Sequence, residues 1–374
     1  MNADPSPSLC SSRSGPQTDL LGLDLAAFRA ELRARGLKAQ GLAAEVWTDA
    51  FRRGVFEPER AGLVPKVAAA WREAFFLRLP VPRKLISEDG ELGPTEKALV
   101  AMADGAEIEM VRIPMPPGPD GRERTTLCVS SQAGCRMGCA FCETGRGGLV
   151  RNLGAGEMVA QVLAARLLFG WNVRKLVFMG MGEPLDNFDG LSAALRVLLD
   201  SRGPAFSQER ITVCTSGLPA EIGRLRGLGL KRLGLSVSLN APDDQMRTRL
   251  MRVNREHPLD GLVAALAAYP QRASFVLGVN YCLIPGLNDR PGDAARVAGI
   301  AARLGRALVN VIPYNPGRAP IGRAPSDAEV EAFVSALEAE GVPVRRRATK
   351  GRSIMAACGQ LGGSAYGGGA PGAL

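Results

Sequence analysis

Apolar residues recur at helical spacing near the start of the chain and at strand spacing further on. In "DLAAFRAELRARG", Leu25, Phe28 and Leu32 fall on one helical face and Gly36 closes the run. "AAEVWTDAFRRG" and "KVAAAWREAF" repeat that texture, so residues 21–97 are expected to form a small helical accessory domain without obvious chemistry. From about residue 106 short β-rich runs alternate with helical ones. The strand runs are "KLVFMGMGEP", "RITVCTSG", "LKRLGLSVSLNAP", "SFVLGVNYCLIPG", "RALVNVIPYNP" and "PVRRRATKG". Between them "LSAALRVLLDS", "LDGLVAALAAY" and "DAEVEAFVSALEAEG" have the spacing of amphipathic helices. Six strands separated mainly by helices predict an α/β fold with a parallel sheet of βα units, best closed as a partial TIM-like barrel over 98–361. Each strand run ends in small, polar or Pro-Gly residues, where such folds place their ligands.

The ends have a different texture. Residues 1–20 are rich in Ser and Pro and 362–374 in Gly, and both are expected to be disordered. The N-terminal segment lacks the apolar stretch of a secretory signal, and no run of 18 or more apolar residues exists. The longest apolar stretch, "MVAQVLAARLLFGW", is interrupted by Gln161 and Arg166. No membrane association and a cytoplasmic location are therefore expected. In a reducing compartment, clustered cysteines indicate metal or redox chemistry rather than structural disulfides.

The formal charge of +9 favours a polyanionic partner. Its densest cluster is "RRRATKGR", in which Arg345, Arg346 and Arg347 are candidates for phosphate contact. Aromatic residues make up only 5%, which disfavours a module that binds single strands by stacking bases.

The chemistry is concentrated in "GCRMGCAFCETG", where Cys135, Cys139 and Cys142 follow one another in a C-x₃-C-x₂-C triplet. Zinc asks for four ligands, usually as two pairs. The single histidine, His257, is remote in sequence, although Cys128 or Cys358 could complete a Cys₄ set. A zinc-holding basic RNA-binding protein is thus one alternative. Three thiolates on a [4Fe–4S] cube instead leave one iron without a protein ligand. That iron can chelate the amino and carboxylate groups of S-adenosylmethionine (SAM) beside a one-electron donor.

These cysteines resemble those of the radical-SAM superfamily. "CVSSQAGCRMGCAFCETG", "FMGMGEPLDN", "VNVIPYNP" and "AACGQLGG" resemble one branch of it, the RlmN/Cfr family of RNA methyltransferases, over about residues 107–363. The resemblance implies a barrel mouth that holds cluster and SAM. Gly182 and Glu183 would meet the methionyl amino group, with further SAM contacts at Cys214, Ser216, Ser238, Leu239, Asn240 and Asn315. It also implies that Cys358 carries a methyl group, that Cys128 resolves the resulting adduct through a disulfide, and that Glu109 accepts the proton of the adenine ring. An exposed strand-edge carboxylate is the plain alternative for Glu109, and Cys10 and Cys282 have no counterpart. The activity implied is methylation of an adenine carbon, carbon 2 before carbon 8, in 23S and transfer RNA, with flavodoxin or ferredoxin as reductant. A Cfr-type carbon-8 enzyme and a divergent enzyme with another RNA substrate are the alternatives.

Thiolate chemistry suits that target independently, because an electron-poor ring carbon is no nucleophile toward a sulfonium methyl, whereas a thiolate is. Three departures stand out. Asn240 replaces a histidine, Asn280 stands where relatives carry a carboxylate, and "GRSIM", Gly351 to Met355, lacks the usual acidic residues.

Overall fold

A computed structural model describes residues 16–118, 121, 123–269 and 276–362. Of the segments expected to be disordered, 1–15 and 363–374, with Cys10, lie outside the described residues. Thr18 and Asp19 pair with Phe75 and Phe76, Leu20 is fully buried and Gly362 bonds Glu109, so disorder does not extend over 16–20 or 362. Ten strands form the main sheet: β1 (Val81–Glu88), β2 (Thr95–Ala101), β3 (Glu107–Met115), β4 (Arg124–Val129), β5 (Val173–Phe178), β6 (Ile211–Thr215), β7 (Gly234–Ser238), β8 (Leu277–Leu283), β9 (Ala307–Pro313) and β10 (Val344–Arg346). Their spatial order follows their order in the chain, β1 and β10 being the two edges. From β4 to β10 every neighbouring pair is parallel. A parallel sheet whose order never reverses has no switch point between strands, so it winds in one direction as barrels do. Residues just beyond β5, β6 and β7, together with Asn280 and Cys282 of β8 and Ile312 of β9, line one common cavity, which shows how far the sheet curls.

All six strand runs read from the sequence appear, as β5 to β10. The helical reading of residues 21–97 needs correction. Helices α1 (Leu25–Ala34), α2 (Ala43–Arg53) and α3 (Pro65–Ala74) end at residue 74, and β1 to β3 then form an antiparallel extension of the sheet. β1 is an edge strand whose residues are mostly exposed, and Pro82 breaks its register with β2. Such a strand carries no clean apolar alternation to betray it.

The three accessory helices also share one apolar core with the barrel. Trp47 and Trp71 are fully buried, and their indole N–H groups donate to Leu23 O and Lys38 O, both at 3.0 Å. The accessory segment rests on α4 (Ala155–Leu167), where Asp19 lies so close to Gly156 that a β-carbon there would stand 1.9 Å from its carboxylate. α4 is buried on nearly every side, which explains its apolar composition. Its Gln161 is satisfied by the backbone of Ser130, accepting from N–H and donating to C=O at 2.8 Å each. Among the described residues no helix is long and apolar enough to cross a membrane.

Burial raises the pKa of Asp19 to about 6, against the pull of the Leu21 N–H. Because the folded value exceeds the unfolded one, this group's contribution to stability is lost as pH rises from about 4 to about 6. The loss is at most about 3 kcal/mol. Urea unfolding across that window should show a decline in the parent chain that is absent from Asp19→Asn.

Candidate functional site

The cysteine triplet lies beyond β4, where a short hairpin of Gln132–Gly134 with Leu149–Asn152 leads into Cys135. Backbone hydrogen bonds then shape the loop: Cys135 N–H to Gly148 O at 2.8 Å, Ala140 N–H to Leu250 O at 2.9 Å and Cys142 N–H to Cys139 O at 3.1 Å. All three thiols line the cavity at the C-terminal ends of the strands. Burial pushes the Cys135 thiol up to about 12 and raises Cys139 and Cys142 too, and Cys135 and Cys139 are raised further by neighbouring thiols and Glu183. Thiols so crowded stay protonated until cationic iron replaces their protons. Among the described residues no three His, Cys, Asp or Glu side chains are arranged to hold one metal ion. Three thiols from one short loop that line one cavity fit the protein ligands of a [4Fe–4S] cluster.

Across the cavity, Glu183 follows β5 and is 4% exposed. Its carboxylate accepts from Ser216 N–H at 2.7 Å and Leu185 N–H at 3.1 Å, while its own N–H donates to Gln132 Oε1 at 2.8 Å. Burial raises its pKa and these donors partly counter the shift. Among the described residues no lysine, arginine or histidine pairs with it. The Ser216 hydroxyl, buried and without a hydrogen-bond partner, lies near the same carboxylate outside bonding geometry. Gly182, at φ +101°, brings the backbone so near that a β-carbon would stand 2.6 Å from Gln132 Cβ. A buried carboxylate without a cation, an unpartnered hydroxyl and a close-approach glycine together fit the ammonium end of SAM.

The remaining predicted contacts divide. Cys214, Ser238 and Asn240 line the cavity with Ser216. Leu239 turns into the core, and its carbonyl is taken by Arg247 Nε at 3.2 Å. Asn315 stands among the C-terminal residues, donating to Cys358 O at 3.4 Å and accepting from Arg352 Nε at 2.9 Å.

Two departures from the family now have a physical account. Asn280 Nδ2 donates to Cys214 Sγ at 3.2 Å while its Oδ1 accepts from Asn310 at 3.2 Å, which a carboxylate could not do on both sides. Asn240 sits at φ +57°, a region Asn tolerates, with its Oδ1 taken by Cys282 N–H at 2.8 Å. It is a loop-building residue. Against "GRSIM" stands a carboxylate from another element: Glu88 of β1 accepts from Gly351 N–H at 2.6 Å and Ser353 N–H at 2.7 Å.

Cys358 is exposed and edges the same cavity. The crowded walls still raise its pKa, while Arg347 draws it down. Cys128, buried on β4, is raised by burial first and then by the neighbouring Cys358. Both reach Met179, with Cys358 Sγ 4.0 Å from Met179 Sδ and Cys128 hydrogen-bonded to the Met179 backbone, and both are free thiols. Cys282 also lines the cavity, although no motif around it pointed there. Of the three consecutive arginines, Arg346 is tied to Asp327 and Glu331. Glu109 is no exposed edge group. It is fully buried, pairing with Lys97 Nζ at 3.1 Å and accepting from Gly362 N–H at 2.7 Å.

Sequence reasoning missed Arg247. Fully buried in a short helix, it donates to the carbonyls of Ser216, Ser238 and Leu239 and to Asn254 Oδ1, so one guanidinium joins the ends of β6 and β7. Desolvation lowers its pKa to about 10, which still leaves it charged. Nothing in the local sequence distinguishes it from the surface arginines around it.

Comparison with known proteins places residues 129–298 in the family described as the Radical SAM superfamily. A dual-specificity RNA methyltransferase RlmN from Syntrophotalea carbinolica is 44% identical over 278 residues, covering 74% of this chain and 72% of that protein. Another from Sorangium cellulosum is 38% identical, covering 89% of this chain and 92% of its own. The crystal structure of a radical SAM methyltransferase from Sphaerobacter thermophilus superimposes with a TM-score of 0.82 at 36% identity, covering 93% of this chain and all of that one.

Removing the Arg247 guanidinium strands several buried acceptors. Arg247→Met should lower the unfolding free energy by about 3 kcal/mol or more, measured in urea. The exposed neighbour Arg252, changed likewise, should shift it by less than about 0.5 kcal/mol.

Proposed function

The chain belongs to the RlmN family of radical SAM RNA methyltransferases, and from that premise we propose that it methylates carbon 2 of an adenine in 23S and transfer RNA through a methyl group carried on Cys358. A [4Fe–4S] cluster and SAM are the family's cofactors. When bound, they supply the methyl group and the radical that activates it. Cys135, Cys139 and Cys142 would hold the cluster. Glu183 and the Ser216 hydroxyl would receive the ammonium end of SAM, and Gly182, Cys214, Ser238 and Asn240 would shape the walls of its pocket. A flavodoxin- or ferredoxin-like protein would deliver the electrons.

The observation that carries this reading is that two reduced thiols outside the triplet, an exposed Cys358 and a buried Cys128, both reach Met179. A thiol bearing the methyl must be reachable by the base, and Cys358 is. The thiol that frees the product must stay out of reach of other electrophiles until needed, and burial keeps Cys128 protonated meanwhile. Attack by Cys128 on the sulfur of Cys358 would form a disulfide and release the methylated base, after which thiol exchange restores both. Glu109 would take the ring proton once the segment that covers it has moved. The target adenine must be unpaired or splayed, since a stacked base edge cannot reach such a mouth. Arg345 and Arg347 are left for phosphate contact once Arg346 is paired.

Nucleoside mass spectrometry of ribosomal and transfer RNA from a strain lacking the gene gives the test. The parent gene should restore 2-methyladenosine, and Cys358→Ala should leave it at background. Restoration of 8-methyladenosine instead would move the target to carbon 8. Cys128→Ala should leave RNA covalently attached to the chain, seen as a shifted band sensitive to nuclease. Full methylation by either variant would end the proposal.

A further inference from the structure

The loop bearing Cys358 is held at both ends by one buried ion pair. Lys97 on β2 and Glu109 on β3 are diagonal neighbours in the antiparallel extension, with Leu99 opposite Glu109 and Val111 opposite Lys97. Both side chains are almost completely buried. Lys97 Nζ donates to Met355 O at 3.0 Å, three residues before Cys358. Glu109 accepts from the N–H of Gly362, four residues after it, at 2.7 Å. Between those points the loop is stitched to the cluster segment by Glu143 N–H to Gly359 O at 2.8 Å and Thr144 Oγ1 to Leu361 O at 2.6 Å. Met355, at φ +54°, is in a region an unbranched side chain adopts only when its surroundings compel it.

A buried ion pair contributes little net stability, because desolvating both charges offsets their attraction. Its geometry is nonetheless specific, since each charge can be satisfied only where its remaining partners stand. Among the described residues those partners include the backbone at the two ends of the Cys358 loop. We propose that Lys97 is a positioning residue: with Glu109 it latches the loop 355–362 over the mouth, and Glu109 stays withheld from RNA until that latch opens. This rests on the reading of Cys358, Cys128 and Glu109 above, and it ties delivery of the proton acceptor to movement of the methyl-bearing loop.

The experiment compares the cluster-loaded parent with Lys97→Met and with the double variant Lys97→Met/Glu109→Gln, which removes both charges of the pair together. Hydrogen exchange of residues 356–362 should quicken by at least about tenfold in both variants, with β2 and β3 in the double variant exchanging as in the parent. Alkylation of Cys358 by iodoacetamide, followed by peptide mass spectrometry, should rise in step. A looser loop also lowers the effective concentration of Cys358 at Cys128. A tenfold drop would make their disulfide easier to reduce by about 30 mV in glutathione buffers. Parent-like exchange and alkylation in the double variant would overturn the latch, and quickening that spreads through β2 and β3 would reduce Lys97 to a general support. If the parent forms no Cys128–Cys358 disulfide, the methyl-cysteine reading fails, while exchange and alkylation still judge the latch.

Discussion

A carboxylate buried without a protein cation is the constraint around which this mouth is organised. Glu183 spends its two oxygens on backbone donors from Leu185 and Ser216, and its own N–H is fixed by Gln132. Those three contacts tie β5, β6 and the hairpin before the cysteines to one another. Among the described residues the charge has no equal and opposite partner, so the site is balanced only when something cationic enters. The thiols opposite face the same imbalance, since as thiolates they would add negative charge to a crowded space. Iron on one side and an ammonium on the other would resolve both at once, which is the physical argument for assigning cluster and SAM to a single cavity.

Much of this was legible in the letters. The parallel strands β5 to β10 are apolar runs closed by small or polar residues, and a barrel's period survives in such runs because both faces are covered. The cysteine triplet, "GEP" and "AACGQL" were legible because their chemistry leaves residue types at fixed spacing. The antiparallel strands β1 to β3 were harder to see. β1 is an exposed edge, and β2 holds a lysine in its interior that looks like a solvated position until its partner is known. Lys97 and Arg247 share this camouflage. A buried charge is defined by contacts distant in sequence, and composition near either residue is ordinary for a chain rich in arginine. The plain alternative for Glu109, an exposed edge carboxylate, fails for the same reason, because the lysine that pairs with it cannot be read from the letters around it.

The departures from the family pattern are now less puzzling. Asn280 both donates and accepts in a line from Asn310 to Cys214, and Asn240 closes a left-handed turn against Cys282. Negative charge missing from the segment before Cys358 is supplied by Glu88 on the far edge of the sheet. A charge from a strand distant in sequence thus meets the segment that lacks one of its own.

The embrace of α4 by the accessory helices has a consequence for the chain's modularity. Because Trp47, Trp71 and the apolar face of α4 belong to one continuous interior, a cut between Ala74 and Val81 would not free a self-sufficient catalytic half. It would strip oily surface bare on both fragments. The front of the chain is best regarded as the barrel's outer wall, inherited and lost together with it.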